Sequence, residues 1–237
     1  MQTTIAKIVL NFFDYFHQRK IFNYLSKIAG KKLETVFDIG AHKGETVVNF
    51  KKFFKVKNIF SFEPSKKNFK ELFEFTKNFS NVKIYNFAFG SKNEKKSLNY
   101  SLESSSSTIN SINQNSKYYK LKKKLFFGNT NKKLFVKEII KVMRIDNFLL
   151  SKKISSIDIL KIDTEGFEFE VIKGLGDKII CVKIIYFEHH YDDMVKKNYT
   201  FCNIHDHLKN YKFKQVFKLK MPFRKTFEYI YINEKKF

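Results

Sequence analysis

Three short stretches carry most of the chemistry in this sequence. The most unusual is Ile159-Leu160-Lys161-Ile162-Asp163-Thr164-Glu165-Gly166, where a lysine interrupts an apolar run. Burying an ammonium in a sheet is costly unless it is paired. Period-2 alternation puts Lys161 and Asp163 on one face, about 7 Å apart along the strand. Glu165 follows in the turn, and Glu168 opens the next helix. Downstream, Tyr186-Phe187-Glu188-His189-His190 ends another apolar run with an acid and two imidazoles. Glu188 and His189 are expected to lie one strand over from Asp163. Carboxylates and imidazole gathered at neighbouring strand ends suit general acid–base work; the plainer alternative is a structural ion pair with capping carboxylates.

The third stretch is Val36-Phe37-Asp38-Ile39-Gly40-Ala41-His42-Lys43-Gly44, a strand that enters a glycine turn and then a helix. Gly40 and Gly44 permit close backbone approach, and a helix N-terminus offers free N–H groups to an anion. Downstream, Glu63-Pro64 ends a second strand, where a carboxylate can accept both hydroxyls of a ribose. The pair signals an adenosine-type cofactor. A dinucleotide fold needs G-x-G-x-x-G, but the spacing here is D-x-G-x-x-x-G with Asp38 before the turn. An acid there repels a pyrophosphate and suits an ammonium, such as the one S-adenosylmethionine carries.

These residues need a frame of strands and helices. Short apolar runs at Thr35–Ile39, Asn58–Phe62, Val82–Ala88, Ile157–Ile162 and Ile179–Phe187 alternate with helical periods at Glu45–Phe54, Lys66–Asn78 and Phe167–Leu175. Near-continuous apolar strands spaced by helices predict a parallel sheet covered on both faces. Leu134–Met143 reads as a strand and Ile145–Leu150 as a short helix. A helix around Thr200–Lys209 precedes two strands, Phe213–Leu219 and Phe227–Ile232, that suggest an antiparallel hairpin at the sheet edge. Residues 3–28 read as a helix with Ile5, Ile8, Val9, Phe12, Phe13 and Phe16 on one stripe. Residues 1–30 are therefore taken as an N-terminal amphipathic helix and 31–237 as the main domain. Within it, 91–133 forms a polar insertion or lid, with a serine run at Ser104–Ser107.

Composition bounds the reading. The chain has 237 residues, 43% of them hydrophobic, so a disordered tail or a small stapled scaffold is excluded. Lys+Arg 46 against Asp+Glu 23 gives +23. Almost all of this is lysine, since Arg19, Arg144 and Arg224 are the only arginines. Nucleic-acid recognition usually employs arginine, so a nucleic-acid partner is not expected. Cys181 and Cys202 suggest no disulfide framework, and no 18-residue apolar run exists, which points to a cytoplasmic protein. Arg19, Lys20 and Lys27 leave open a peripheral membrane contact through residues 1–28.

From Val36 to His190, about two-thirds of the chain, the sequence resembles the FkbM family of S-adenosylmethionine-dependent methyltransferases. The matching pieces are Phe37 to Gly44, then Phe62-Glu63-Pro64 with Asn68 and Leu72, Ala88 with Gly90-Ser91, and Arg144-Ile145-Asp146-Asn147-Phe148-Leu149. The most specific is Ile157 to Glu168, completed by Lys173-Gly174 and Glu188-His189. The resemblance implies a Rossmann-like class I fold, with a seven-stranded, mostly parallel sheet and an antiparallel last strand. It also implies methyl transfer to a hydroxyl, commonly of a sugar or secondary metabolite. His42 departs from the Asn frequent there, and 110–133 matches no family pattern.

On this reading Asp38 binds the methionine end, and Gly40, Ala41, His42 and Gly44 of the same turn also bind the cofactor. Glu63 and Pro64 hold the ribose, and Ala88 and Phe89 lie beside the adenine. Asp163, Glu165 and His189 are candidates for the base, with Glu188 beside them. Lys161 would orient a carboxylate or, with its pKa depressed by burial, act itself. A divalent ion on Asp163, Glu165 and Glu188 is a weaker option. The acceptor is expected to be a small molecule or glycan, and a nicotinamide oxidoreductase is disfavoured by the missing glycine pattern.

Overall fold

The structure is a computed structural model and describes residues 2–101, 107–127 and 134–236. The chain begins with α1 (Gln2–Ala29), β1 (Lys32–Ile39), α2 (Glu45–Phe53), β2 (Lys55–Phe62), α3 (Lys66–Thr76) and β3 (Val82–Tyr85). There follow β4 (Ala88–Phe89), β5 (Glu94–Ser101), α4 (Lys117–Phe127), β6 (Phe135–Met143) and α5 (Ile145–Lys152). Then come β7 (Ile157–Ile162), α6 (Glu168–Lys173), a 3-10 turn (Gly176–Cys181) and β8 (Val182–His190). The chain closes with α7 (Phe201–Asn210), β9 (Phe213–Lys220) and β10 (Thr226–Asn233).

The main sheet has seven strands in the order β3-β2-β1-β7-β8-β10-β9. The first five run parallel, and β10 inserts antiparallel between β8 and β9. This is the seven-stranded sheet with an antiparallel last strand that the resemblance implies. β9 rather than β10 forms the edge. Strand order reverses between β1 and β7, which opens a crevice at their carboxyl ends.

Alternation along the strands divides the core between two layers. Phe37, Phe62, Leu160, Ile162, Ile185 and Phe187 pack with Phe148 of α5 and Val171 of α6. Val36, Ile59, Ile159, Ile184, Tyr186 and Ile230 pack on the other face with Val47 and Phe50 of α2. There they meet Ile21, Phe22 and Leu25 of α1, all 0% exposed, each burial contributing roughly 1.5–3 kcal/mol. Among the described residues, Ile21, Phe22 and Leu25 form the docking face of α1. Phe13 and Phe16 of the expected stripe are 39% and 43% exposed. The side chains of Ile5, Ile8, Val9 and Phe12 lie outside the described residues. A polar contact pins α1 as well: His17 Nε2 lies 2.7 Å from Glu228 Oε2, and Gln18 donates to Glu228 Oε1 at 3.0 Å. Among the described residues, no helix is long and apolar enough to cross a membrane.

Two departures from the strand pattern shape the cleft. The run expected over Val82–Ala88 breaks after Tyr85, because Asn86 turns to donate its amide to Glu63 O and Pro64 O at 2.9 and 3.0 Å. Ala88 and Phe89 then pair with β6 instead of β2. The strand expected at Leu134–Met143 exists as β6 but belongs to a separate three-stranded sheet, β4-β6-β5. Part of the polar stretch after Gly90 supplies its third strand, antiparallel to β6 from Glu94↔Val142 to Ser101↔Phe135. Ser104, Ser105 and Ser106 lie outside the described residues.

Candidate active site

The turn after β1 is tied to the neighbouring strand ends. Gly40 N and Ala41 N both donate to Phe62 O, at 2.9 and 3.0 Å, and Asp163 N donates to Ile39 O at 2.9 Å. Gly40 has φ +81, and a Cβ there would sit 1.8 Å from Asp163 O. Only glycine lets the β1 and β7 loops pass so closely. α2 opens on Gly44, which offers no capping side chain, leaving first-turn amides for an anionic group.

Glu63 ends β2 and is 4% exposed. Its Oε2 accepts His42 N at 3.0 Å and its Oε1 accepts Ser65 N at 2.9 Å. The Asn68 side chain also hydrogen-bonds to Glu63, and a carboxylate with about four lone-pair sites still has room for an outside donor. Burial pushes the Glu63 carboxyl up to about 7 despite these amides. Glu63, Pro64, Gly40 and His42 line a cleft, with Phe62, Ala88, Phe89, Ile109 and Phe167 forming an apolar wall beside them. Asp163, Thr164 and Glu165 close the wall at the end of β7.

Beneath this cleft lies a row of charge. Asp38 is 0% exposed and does not line the cleft; its carboxylate faces Lys161 Nζ at 3.4 Å, out of hydrogen-bond alignment. Burial raises its pKa and the lysine opposes the rise. Ala41 is likewise buried, and Gly44 packs against Phe75 and Leu72, so both shape the turn from below. Lys161 Nζ is also 3.4 Å from Asp163 Oδ2. Burial works against its charge, but Asp163 and Asp38 outweigh burial and hold its pKa above the ordinary lysine value. The depression that would make Lys161 a base is therefore reversed: it is a locked ammonium that orients two carboxylates.

Glu165 adopts a left-handed conformation, φ 52, which is costly for a residue with a Cβ and sets its carboxylate at the cleft wall. Glu168 holds this loop. Its Oε1 accepts Gly166 N at 2.8 Å and Thr164 Oγ1 at 3.1 Å, and its Oε2 accepts Tyr199 OH at 2.5 Å.

At the end of β8 the two histidines part. His189 packs against Tyr191, Tyr199 and Phe201, with burial and then Lys197 lowering its pKa to about 3. It points to the face opposite Glu188 and does not line the cleft. His190 instead sits in the acidic cluster: its Nε2 is 3.2 Å from Glu165 Oε2 and 3.1 Å from Glu188 Oε1. Its Nδ1 is 3.1 Å from Thr226 Oγ1 and 3.6 Å from Asp192 Oδ2. Burial disfavours its charge, yet Glu165, Asp192 and Glu188 raise its pKa well above the ordinary imidazole value. Glu188 is pushed up to about 8 by burial and by the charge of Asp163. Strict period-2 counting pairs Glu188 with His190; adjacency in sequence suggested His189. Among the described residues, no group of three or more His, Cys, Asp or Glu is placed to hold a metal ion, so the Asp163–Glu165–Glu188 option has no support.

A cleft at the β1/β7 switch point of this seven-stranded sheet, with a buried carboxylate just after β2 and an apolar wall beside it, is the arrangement of a class I methyltransferase fold. The chain belongs to the FkbM family of S-adenosylmethionine-dependent methyltransferases: the Methyltransferase FkbM domain model matches residues 38–215. Among solved structures, the FkbM methyltransferase of Methylobacillus flagellatus KT has 15% identity and TM-score 0.53, the likeness covering 84% of this chain and 43% of that one. This chain thus corresponds to less than half of that protein's length. Magnesium protoporphyrin IX methyltransferase from Synechocystis PCC 6803, solved with bound SAM, has 7% identity and TM-score 0.54, over 94% and 81% of the two chains. An rRNA methylase from Streptococcus thermophilus has 7% identity and TM-score 0.50, over 90% and 94%. No curated protein matches the sequence.

The residues present fit the cofactor. Glu63 is a buried acceptor at the cleft, and the apolar wall that includes Phe62, Ala88 and Phe89 suits one face of a flat base. The ammonium partner expected of Asp38 is the one requirement the geometry answers differently, since Lys161 already faces that carboxylate.

Proposed function

We propose that the protein methylates a hydroxyl group of a sugar or similar acceptor, using S-adenosylmethionine. The observation that carries this reading is Asp163 and Glu165 on the wall of the same cleft as Glu63. When bound, the cofactor supplies an electrophilic methyl on a sulfonium, whose transfer leaves a neutral thioether and no base. A hydroxyl attacking it must lose its proton as the O–C bond forms and the S–C bond breaks. We assign Asp163 and Glu165, the carboxylates at the end of β7 that line this cleft, as the acceptors for that proton. Lys161 and protonated His190 hold the two carboxylates in place, and the apolar wall keeps water from the reacting atoms.

The test is transfer of radiolabelled methyl from S-adenosylmethionine to fractionated glycans, lipids and RNA, with mass spectrometry locating the new group. Glu165→Gln and Asp163→Asn should each lower turnover more than cofactor affinity. Labelling of RNA alone, or wild-type turnover in both variants, would overturn the reading. With Cys181 and Cys202 both free thiols, we place the reaction in a reducing cytoplasm.

An exposed aromatic patch supports a second proposal, contact with an anionic membrane surface. Phe13 and Phe223 meet edge to face at 5.1 Å, with Phe223 73% and Tyr15 50% exposed. Because α1 also buries core residues, its deletion is a poor test. Phe13→Ser/Phe16→Ser/Phe223→Ser should abolish sedimentation with anionic vesicles if the patch inserts; unchanged sedimentation would sink the idea.

A further inference from the structure

A second groove runs beside the cofactor cleft, and the sequence motifs do not account for it. We infer that it binds the acceptor and that the acceptor is an anionic, polyhydroxylated chain; this rests on the methyltransferase reading above. The groove encloses about 650 Å³, within the roughly 300–1,000 Å³ of a ligand site. It shares Ile109 and Phe167 with the cofactor cleft, so a chain lying in it passes next to the donor.

Its walls are built from parts of the fold that hold one another. Lys196 N donates to Ser111 O at 2.9 Å, and Asn113 N donates to Met194 O at 2.7 Å, joining the segment after Ile109 to the loop before α7. Asn110 Nδ2 donates to Gly166 O at 2.5 Å, which fastens the same wall to the catalytic loop. The facing wall is β5, an edge strand of the small sheet.

The groups it presents select the ligand. Lys92, Lys96 and Lys196 line it. Its own acids are already engaged: Glu94 faces Lys96 at 3.4 Å, and Glu170 is held by Lys173 and by the Ser91 hydroxyl. Among the described residues, Lys92 and Lys196 form no ion pair, so they remain for an anion. Ser97 lines this wall, its Oγ buried with no hydrogen-bond partner. Asn198 and Ser111 add an amide and a hydroxyl. The Tyr199 hydroxyl is taken by Glu168, which leaves its ring to cover the apolar face of a sugar. Among the described residues, no arginine lines the groove and Phe167 and Tyr199 are its only rings, a poor platform for successive bases. Carboxylate and phosphate would serve equally, and the experiment separates them.

The protein loaded with S-adenosylhomocysteine would be titrated with labelled oligomers of matched length. These are an oligogalacturonate, a glycerol-phosphate oligomer, a neutral oligoglucose and polyuridine RNA. Lys92→Glu/Lys196→Glu would be compared with Lys209→Glu/Lys214→Glu, which changes net charge equally on a distant surface. At least one anionic oligomer should bind about tenfold or more tighter than the neutral one. The groove variant should lose about tenfold while the distant variant stays within about twofold. The better of the two anions identifies the charged group. Equal binding of the neutral oligomer, equal losses in both variants, or tightest binding of RNA would each overturn the inference. Calorimetry of S-adenosylhomocysteine with wild type and groove variant separates the two levels. If wild type binds the nucleoside but no oligomer, the groove assignment fails alone. If it binds no nucleoside, the methyltransferase reading fails and the groove assignment falls with it.

Discussion

With the cofactor ribose assigned to Glu63, as we propose, cofactor affinity becomes a function of pH, and the sign follows from the surroundings of that carboxyl. Burial raises its carboxyl from 4.5 to about 7, so near neutrality about half of the cofactor-free protein carries it protonated. Beyond the two backbone amides at 3.0 and 2.9 Å, the ionised form has more acceptor capacity than the protonated one, which carries its own O–H. Ribose hydroxyls donating there favour ionisation and return the pKa toward the ordinary range. Linkage then makes affinity fall as pH drops below 7, by about tenfold between pH 8 and pH 6, roughly 1.4 kcal/mol. Glu63→Gln should weaken binding roughly 10- to 150-fold at pH 8, the equivalent of about 1.5–3 kcal/mol for a hydrogen bond to a charged group. It should also flatten the profile. Calorimetric titration of S-adenosylhomocysteine across this range measures both effects. A flat wild-type profile, or a Glu63→Gln profile with the wild-type slope, would refute the assignment of the ribose to Glu63.

Other perturbations separate steric, electrostatic and conformational causes. Gly40→Ala places a methyl 1.8 Å from the Asp163 carbonyl and should abolish cofactor binding and lower the melting temperature strongly. Gly30→Ala, at φ +75 with nothing within 4 Å, should cost only the left-handed strain of about 1–2 kcal/mol. Equal losses in the two would show that contact with the β7 loop is unimportant. Lys161→Met strands the buried Asp38 and should destabilise by about 3–5 kcal/mol in urea unfolding. Adding Asp38→Asn should recover much of that loss, and a purely additive double variant would argue against the pair. Glu188 has a folded pKa of about 8, raised from 4.5, so its burial costs stability increasingly as pH rises between those values. Glu188→Gln should therefore gain in relative thermal stability from pH 5 to pH 8; a constant difference would contradict this.

Much of the frame was legible from local pattern. Strands such as Ile157–Ile162 are uniformly buried and read as continuous apolar runs, and the helix starting after Ser65 carries its cap in the sequence, with Ser65 Oγ accepting Asn68 N. Val82–Ala88 was misread as one strand because the interruption depends on a long-range bond from Asn86 to the Glu63–Pro64 backbone. The polar stretch after Gly90 hid β5 for a related reason: an edge strand with lysine side chains has little apolar signal, and its partner β6 lies some 40 residues away.

For the site, sequence by itself determined which residues carry chemistry: a lysine within an apolar strand must meet carboxylates, and glycine must turn the chain where β1 meets its neighbours. It also determined the family, because those residues recur in a fixed spacing. Tertiary structure alone decided which of them face the cofactor cleft. Asp38 was expected to take the cofactor's ammonium but lies beneath the turn on Lys161, because β1 and β7 are adjacent in register, Asp38 opposite Lys161. His190 rather than His189 joins Glu165, because the pleat of β8 sends adjacent side chains to opposite faces and only the packing of α1, α2 and α7 says which face is which. The groove that receives Lys92 and Lys196 exists only once the segment after Ile109 folds back onto the loop before α7, a juxtaposition that no local pattern encodes.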